Sequence, residues 1–149
     1  MKDKCLVLIA DRNPHVRRFL QRELGAAGYP VQVAESGQEV LEMVSQSSRV
    51  KVLIIDPDFP DLDSGQLISS LWECQPTLTT VIHSFDAENQ GKASPTACTI
   101  CIEKSGNSVE SIKNTIDAIH HRLFSPSADG MGNNRLRVVV DPGKDSAAS

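Results

Sequence analysis

The sequence has neither an excess of basic residues nor a long apolar run, and these absences exclude two classes of function. Its 149 residues include 15 Lys and Arg against 19 Asp and Glu, which gives a formal net charge of −4. A nucleic-acid-binding protein is expected to carry a basic stripe instead. No apolar segment approaches the roughly 20 residues that are needed to span a bilayer. We therefore expect no nucleic-acid partner and no membrane partner.

The start of the chain also lacks the marks of an export signal. Its first apolar stretch, residues 5–10, is short and ends in charge without a small-residue cleavage site. We therefore expect a cytoplasmic protein, in which cysteines are reduced and buried. Cys98 and Cys101 have the spacing of a redox or metal site. They lie in a strand-like segment, however, where residues three apart point to opposite faces, so we expect no such site.

Apolar segments of strand length alternate with segments of helical periodicity along the chain. The predicted strands are residues 5–10, 31–34, 50–56, 79–84 and 99–103. Helix starts are marked by Pro14 behind a candidate N-cap, by a capping box that begins at Ser36, and by a similar signal at Asn107. Nearly continuous apolar strands that alternate with helices predict a parallel sheet covered on both faces.

We predict one domain, residues 1–124, followed by a mostly flexible tail, residues 125–149. Residues 85–97 show little helical periodicity, which predicts a reduced fourth helix. The tail is rich in Gly, Ser, Asn and Asp, as flexible segments are. The exception is RLRVVVD at 135–141, which has strand propensity and could pair with an exposed sheet edge of this chain or of another.

Four carboxylates crowd into eight residues after the third predicted strand. They are Asp56, Asp58, Asp61 and Asp63. Like charges this close repel, and a nearby dry core raises the cost, so we expect compensating partners. We interpret Asp61 and Asp63 as loop and N-cap residues rather than metal ligands. His83 has no acid or nucleophile at a readable spacing, and we assign it no role.

Polar residues stand where the predicted strands end. Asp11 and Arg12 follow the first strand, Asp56 the third and Lys104 the fifth, while Ser84 ends the fourth. Ligands of open parallel sheets bind outside the carboxyl ends of the strands. Clustered acids favour a divalent cation. The set is typical of phosphoryl transfer to a carboxylate, with Asp56 as the candidate nucleophile and the hydroxyl and ammonium groups binding phosphoryl oxygens.

These segments resemble the receiver domain of two-component response regulators. The matching pieces are LIAD, LIIDPDFPDLDSG, VIHS and EKSG, and the resemblance covers roughly residues 4–124. It implies an α/β fold that is flavodoxin-like, with a doubly wound five-stranded parallel sheet in the order 2-1-3-4-5. It also implies a single-domain response regulator that acts in phosphorelay signal transduction as a signalling module rather than an enzyme.

The resemblance further implies a role for each site residue. Asp56 would accept a phosphoryl group from a sensor histidine kinase or a phosphotransfer protein, and Ser84 and Lys104 would hold that group. Asp11, Asp56 and the main-chain carbonyl of Asp58 would bind Mg²⁺. A downstream protein target would be contacted through the face formed by the fourth helix, the fifth strand and the fifth helix.

Three positions depart from the family pattern. Arg12 stands where the family has a second acidic metal ligand, and a guanidinium there would repel Mg²⁺ or pair with Asp56. Phe85 follows Ser84 where a small residue is usual, which would restrict access to the site. Cys101 occupies the position of the aromatic residue that couples phosphorylation to output in the family.

Two other functions stay open at this point. A pseudo-receiver would be a phosphorylation-independent docking module in which Arg12 pairs with Asp56 and replaces the metal, so that Mg²⁺ would not change its thermal stability. The spacing in DPDFP also resembles haloacid-dehalogenase-like phosphatases, with Asp141 and Asp145 as further acids. Against that family, Asp56 follows the third strand rather than the first, Pro60 replaces the usual Thr or Val, and no cap insert is present.

Overall fold

The computed structural model describes residues 4–85 and 99–123, together with the backbone of a short strand at 139–140. In chain order the elements are β1 (Leu6–Ala10), α1 (Pro14–Ala26), β2 (Val31–Ala34), α2 (Gly37–Gln46), β3 (Val50–Ile55), α3 (Ser64–Cys74), β4 (Thr79–Ser84), β5 (Thr99–Glu103), α4 (Ser108–Leu123) and β6 (Val139–Val140). The helix α4 is the one that the sequence prediction counts as the fifth.

The strands form one sheet in the order β2-β1-β3-β4-β5-β6, and every neighbouring pair is parallel. The predicted order of the first five strands is confirmed. Each of these five strands begins and ends within one residue of its predicted bounds. Because all strands run the same way, their carboxyl ends meet at one edge of the sheet.

Helices cover both faces of the sheet. Helices α2 and α3 pack on one face, where the core includes Leu8, Leu53 and Leu71. Helices α1 and α4 pack on the other face, where the core includes Ile54 and Ile116. Successive strand residues point to opposite faces. Strands that are buried on both faces therefore have no polar alternation, which is why they appear in the sequence as continuous apolar runs.

The predicted helix starts are confirmed by their capping contacts. The Asn13 side chain accepts a hydrogen bond of 2.9 Å from the backbone N–H of His15 at the start of α1. Ser36 Oγ accepts one of 3.1 Å from Glu39 N at the start of α2. The Glu39 carboxylate accepts in return from Glu35 N, one residue earlier than an ordinary capping box provides.

The end of the chain adds one strand to the sheet. The backbone of β6 pairs with residues 101 and 102 of β5, at the edge of this chain's own sheet. The rest of the predicted tail and residues 86–97 of the predicted reduced fourth helix lie outside the described residues. None of the helices in the described part of the chain is long and apolar enough to cross a membrane.

Candidate functional site

Three of the predicted site residues meet at the carboxyl edge of the sheet. Lys104 Nζ lies 2.7 Å from Asp56 Oδ2 and 3.0 Å from Asp11 Oδ2. The three side chains are between 3% and 13% exposed, so this ion triad is largely shielded from water. The parallel strands place it, because each residue directly follows a strand. The backbone N–H of Asp56 still bonds to Ala10 O in the neighbouring strand, at 3.0 Å.

Ser84 lies at the next strand end and is buried. Its carbonyl oxygen accepts a hydrogen bond of 3.0 Å from Lys104 N, which continues the ladder between β4 and β5 beyond the paired strands. The structure therefore brings together all four residues that the sequence placed at strand ends: Asp11, Asp56, Ser84 and Lys104. The strand pairing fixes their relative positions before any ligand arrives.

The charges of the triad are incompletely balanced. Burial raises the pKa of Asp11, although the N–H of Asn13 and the ammonium of Lys104 oppose that change. Burial alone would lower the pKa of Lys104, but its hydrogen bonds to Asp56 and Asp11 outweigh burial and raise it. Lys104 thus stays positively charged between two carboxyl groups. With both carboxyl groups ionised, the triad carries one formal negative charge in excess, which favours a further cation.

The sequence suggested that Arg12 could pair with Asp56, but the structure does not show this pair. The Arg12 guanidinium lies 3.4 Å from Asp58 Oδ2, and the two side chains are 57% and 71% exposed. Asp56 already has a buried cation, Lys104, at a shorter distance. The arginine is therefore turned outward, where water screens its charge. Arg12 and Asp58 form an exposed ion pair beside the triad.

The two remaining carboxylates of the acidic segment bind helix N-termini. Asp61 accepts hydrogen bonds of 3.0 and 2.9 Å from the backbone N–H groups of Gly37 and Gln38, the first residues of α2. These N–H groups lower the pKa of Asp61. Asp63 is the N-cap of α3 and accepts from Gln66 N at 3.1 Å. The predicted loop and N-cap roles are confirmed, but the bond from Asp61 to α2 was not foreseen.

The carboxylate pair fits the known preferences of Mg²⁺. Among the described residues, no group of three or more His, Cys, Asp and Glu side chains converges in a metal-binding arrangement. Mg²⁺, however, usually keeps several waters and binds one or two carboxylates together with phosphate oxygens. Asp11 and Asp56 supply two such carboxylates. The N–H of Asp58 donates to Asp56 Oδ1 at 3.1 Å and so orients the second of them.

An exposed aromatic ring stands beside the site. Phe85 is 76% exposed, and its ring centroid lies 5.4 Å from Lys104 Nζ. A ring at this distance attracts the ammonium group. Cys101, by contrast, is buried in the core between the sheet and helices α2 and α3. It fills space there as a small apolar side chain.

Sequence reasoning missed one polar contact near the site. Nε2 of His83 lies 2.9 Å from Ser108 Oγ, and both side chains are buried. The two residues are 25 positions apart, and no periodicity in the sequence connects them. The only available signal was a histidine that follows the apolar pair Val81 and Ile82 in a predicted strand, because a buried histidine requires a partner.

The chain is similar to receiver domains in sequence. A family model described as the response regulator receiver domain matches residues 7–99. The sensor histidine kinase RcsC of Escherichia coli strain K12 is 26% identical over 121 residues, which are 81% of this chain and 12% of the kinase. Response regulator MprA of Mycobacterium ulcerans is 37% identical over 65 residues, which are 44% of this chain and 28% of MprA. The chain thus spans a small part of the length of both relatives.

The fold is also similar to a solved structure. Response regulator protein TrrA from Thermotoga maritima, in complex with Mg²⁺–BeF, superimposes with a TM-score of 0.65. The match covers 77% of this chain and 98% of TrrA, at 18% sequence identity. Similarity at this level of identity supports the fold and says nothing of ligands bound by this chain.

Proposed function

Because the chain belongs to the response regulator receiver family, we propose that it accepts a phosphoryl group on Asp56 during phosphorelay signal transduction. The observation that carries this proposal is the triad, in which a buried lysine contacts both Asp56 and Asp11. Such a lysine holds the acceptor carboxylate in place. Its ammonium group can then form a hydrogen bond with an oxygen of the incoming phosphoryl group without leaving the site.

The reaction that we propose is a displacement at phosphorus. An Asp56 carboxylate oxygen attacks the phosphorus of a phosphohistidine, a new O–P bond forms, and the N–P bond to the histidine breaks with the electron pair left on nitrogen. The product is an acyl phosphate that carries about two negative charges. Lys104 offsets part of that charge, and the Ser84 hydroxyl donates a hydrogen bond to a phosphoryl oxygen.

Mg²⁺ would be held by Asp11, Asp56 and the main-chain carbonyl of Asp58. When bound, it would neutralise charge on the transferring oxygens. The exposed Arg12 places a positive charge nearby, so the metal is expected to bind weakly. The ion pair between Arg12 and Asp58 turns the guanidinium away from Asp56. The carboxylates of Asp11 and Asp56 therefore stay available to the metal. This arrangement supports a receiver that works with one fewer acid than its family.

The partners that follow from this proposal are proteins. The phosphodonor would be a sensor histidine kinase or a phosphotransfer protein, and the output would be contact with a downstream protein target rather than catalysis. The cytoplasm is the compartment that suits such partners. The assignment of residues 1–124 as the receiver and of 125–149 as a tail remains a prediction.

The proposal is tested by transfer from a phosphorylated donor. A phosphotransfer protein labelled on histidine with ³²P is mixed with this chain and Mg²⁺, and the label is followed by gel electrophoresis. We expect label to move to the wild type but not to Asp56→Asn, and a chelator to slow the transfer. Persistent failure with several donors that label other receivers would contradict the proposed function.

No observation favours either alternative. The docking module relied on an ion pair between Arg12 and Asp56, whereas Arg12 pairs with Asp58. The phosphatase relied on the spacing in DPDFP, and Asp56 follows β3 rather than the first strand, as the sequence predicted. The further acids suggested for that phosphatase, Asp141 and Asp145, lie outside the described residues.

A further inference from the structure

A buried hydrogen bond joins β4 to the first residue of α4. His83 Nε2 lies 2.9 Å from Ser108 Oγ, and Ser108 Oγ lies 2.9 Å from the carbonyl oxygen of Ser105. The Ser108 hydroxyl has one hydrogen, which it can give to the Ser105 carbonyl or to His83 Nε2. In the first case His83 donates from Nε2 to Ser108 Oγ, and in the second case Nε2 accepts from it. Either way, the contact joins the two side chains.

The second ring nitrogen of His83 is buried as well. In either tautomer, His83 Nδ1 is buried without a partner among the described residues. Burial, together with the charge of Lys104, lowers the pKa of His83 to about 4, so the ring stays neutral near pH 7. An apolar residue at this position would avoid the unpaired nitrogen. A buried polar side chain with an unpaired nitrogen requires an explanation beyond packing.

The hydrogen bond closes a ring of contacts beside the candidate phosphoryl site. His83 directly precedes Ser84, and Ser105 directly follows Lys104. Lys104 N donates to the Ser84 carbonyl at 3.0 Å, and Ser108 N donates to the Ser105 carbonyl at 3.2 Å. Each of the two residues expected to bind the phosphoryl group is thus one peptide bond from a member of the His83–Ser108–Ser105 unit.

We propose that His83 and Ser108 are positioning residues, whose hydrogen bond holds the ends of β4 and β5 where Ser84 and Lys104 can bind one phosphoryl group. This inference rests on the proposed phosphorylation of Asp56. Neither residue touches the phosphoryl group, and both act through their chain neighbours.

The first test needs no phosphorylation. Hydrogen–deuterium exchange of the backbone amides of residues 104–108 is measured in the wild type, His83→Leu and Ser108→Ala. His83→Gln is the matched control, since its side-chain amide can donate or accept in place of the His83 ring nitrogen. We expect exchange to be about fivefold faster in His83→Leu, the effect of one lost hydrogen bond, and close to wild type in His83→Gln. Exchange in Ser108→Ala should be at least as fast as in His83→Leu, because Ser108 Oγ also accepts from Ser105 N at 3.3 Å. Unchanged exchange in His83→Leu would overturn the proposal.

The second test measures the reaction. The rate of phosphoryl gain from acetyl phosphate with Mg²⁺ is followed by intact mass in the same variants and in the double variant His83→Leu/Ser108→Ala. Each single variant should react about fivefold more slowly, the double variant no more slowly than either, and His83→Gln close to wild type. Wild-type rates in the folded single variants, or additive losses in the double variant, would overturn the proposal.

The two tests separate this inference from the proposed function. If the wild type gains no phosphoryl group, the proposed function fails, and the exchange measurement alone decides whether the hydrogen bond positions residues 104–108. If the wild type is phosphorylated and the variants are unaffected, the proposed function stands and the positioning role fails. Circular dichroism of each variant confirms that it is folded before either result is interpreted.

Discussion

At the residue scale, each carboxylate of the acidic segment after β3 has its own partner. Asp56 contacts a buried lysine, Asp58 an exposed arginine, and Asp61 and Asp63 the N-termini of two different helices. The sequence predicted the strand-end residues because strand ends follow from the apolar runs. It could not predict the partners of Asp58 and Asp61, since these depend on side-chain directions and on contacts between distant parts of the chain.

The charge of Arg12 should weaken Mg²⁺ binding. Arg12→Gln removes one positive charge beside the acidic pair, so we expect Mg²⁺ affinity to rise about two- to fivefold, with a larger gain at low salt. Isothermal titration calorimetry measures the change. Arg18→Gln, at an exposed position of α1, is the matched control for net charge. An equal gain in both variants would show that Arg12 has no specific effect on the site.

His83 should make the stability of the protein depend on pH. Its pKa is lowered from 6.5 to about 4 in the folded protein. Between these values the unfolded chain takes up a proton that the folded chain does not. The free energy of unfolding should therefore fall as pH decreases through this window, by roughly 3 kcal/mol over the whole range.

Urea unfolding between pH 4 and 7 tests this dependence. The profile of His83→Gln is subtracted from that of the wild type, so that groups which titrate equally in both proteins cancel. As pH falls from 7 to 4, the free energy of unfolding should decrease more in the wild type than in His83→Gln. Parallel profiles would mean that His83 is not held neutral by the fold.

At the element scale, the helices begin where capping residues and helical periodicity predicted. Asn13, Ser36 and Asp63 each accept a backbone hydrogen bond at the first turn of a helix. Such signals are local, so a sequence carries them without knowledge of the fold. Strand β6 was harder to place, because a strand-like segment in a tail does not reveal which sheet edge it pairs with.

The contact between Asp61 and α2 should stabilise the loop after β3. Asp61→Ala removes an anion that binds two N–H groups at a helix N-terminus, and we expect a lower urea midpoint. Asp58→Ala is the matched control, because its exposed ion pair should contribute little. The interpretation would be wrong if both substitutions lowered the midpoint equally.

At the scale of the whole molecule, one parallel sheet organises the core and the site together. The first five strands take the predicted order because β-α-β connections restrict how a parallel sheet can be built. The strands whose side chains fill the core also end at the site, so the core and the site residues are held by the same elements. Residues 86–98 and most of the chain after 123 lie outside the described part, so the predictions made for them stay predictions.

Mg²⁺ should stabilise the folded protein as a whole. A ligand that binds only the folded state at ten times its dissociation constant adds about 1.4 kcal/mol. We therefore expect the thermal midpoint to rise with Mg²⁺ in the millimolar range, and Asp11→Asn to lose most of this effect. A midpoint that does not respond to Mg²⁺ would support a docking module that works without a metal.

The most direct test of the account is whether Asp56 accepts a phosphoryl group. Wild type and Asp56→Asn are incubated with acetyl phosphate and Mg²⁺, beside a known receiver, and their intact masses are measured. We predict that the wild type gains the mass of one phosphoryl group and that Asp56→Asn gains none. A folded wild type that gains nothing while the known receiver is labelled, or equal labelling of both forms, would contradict the assignment of Asp56 as the acceptor.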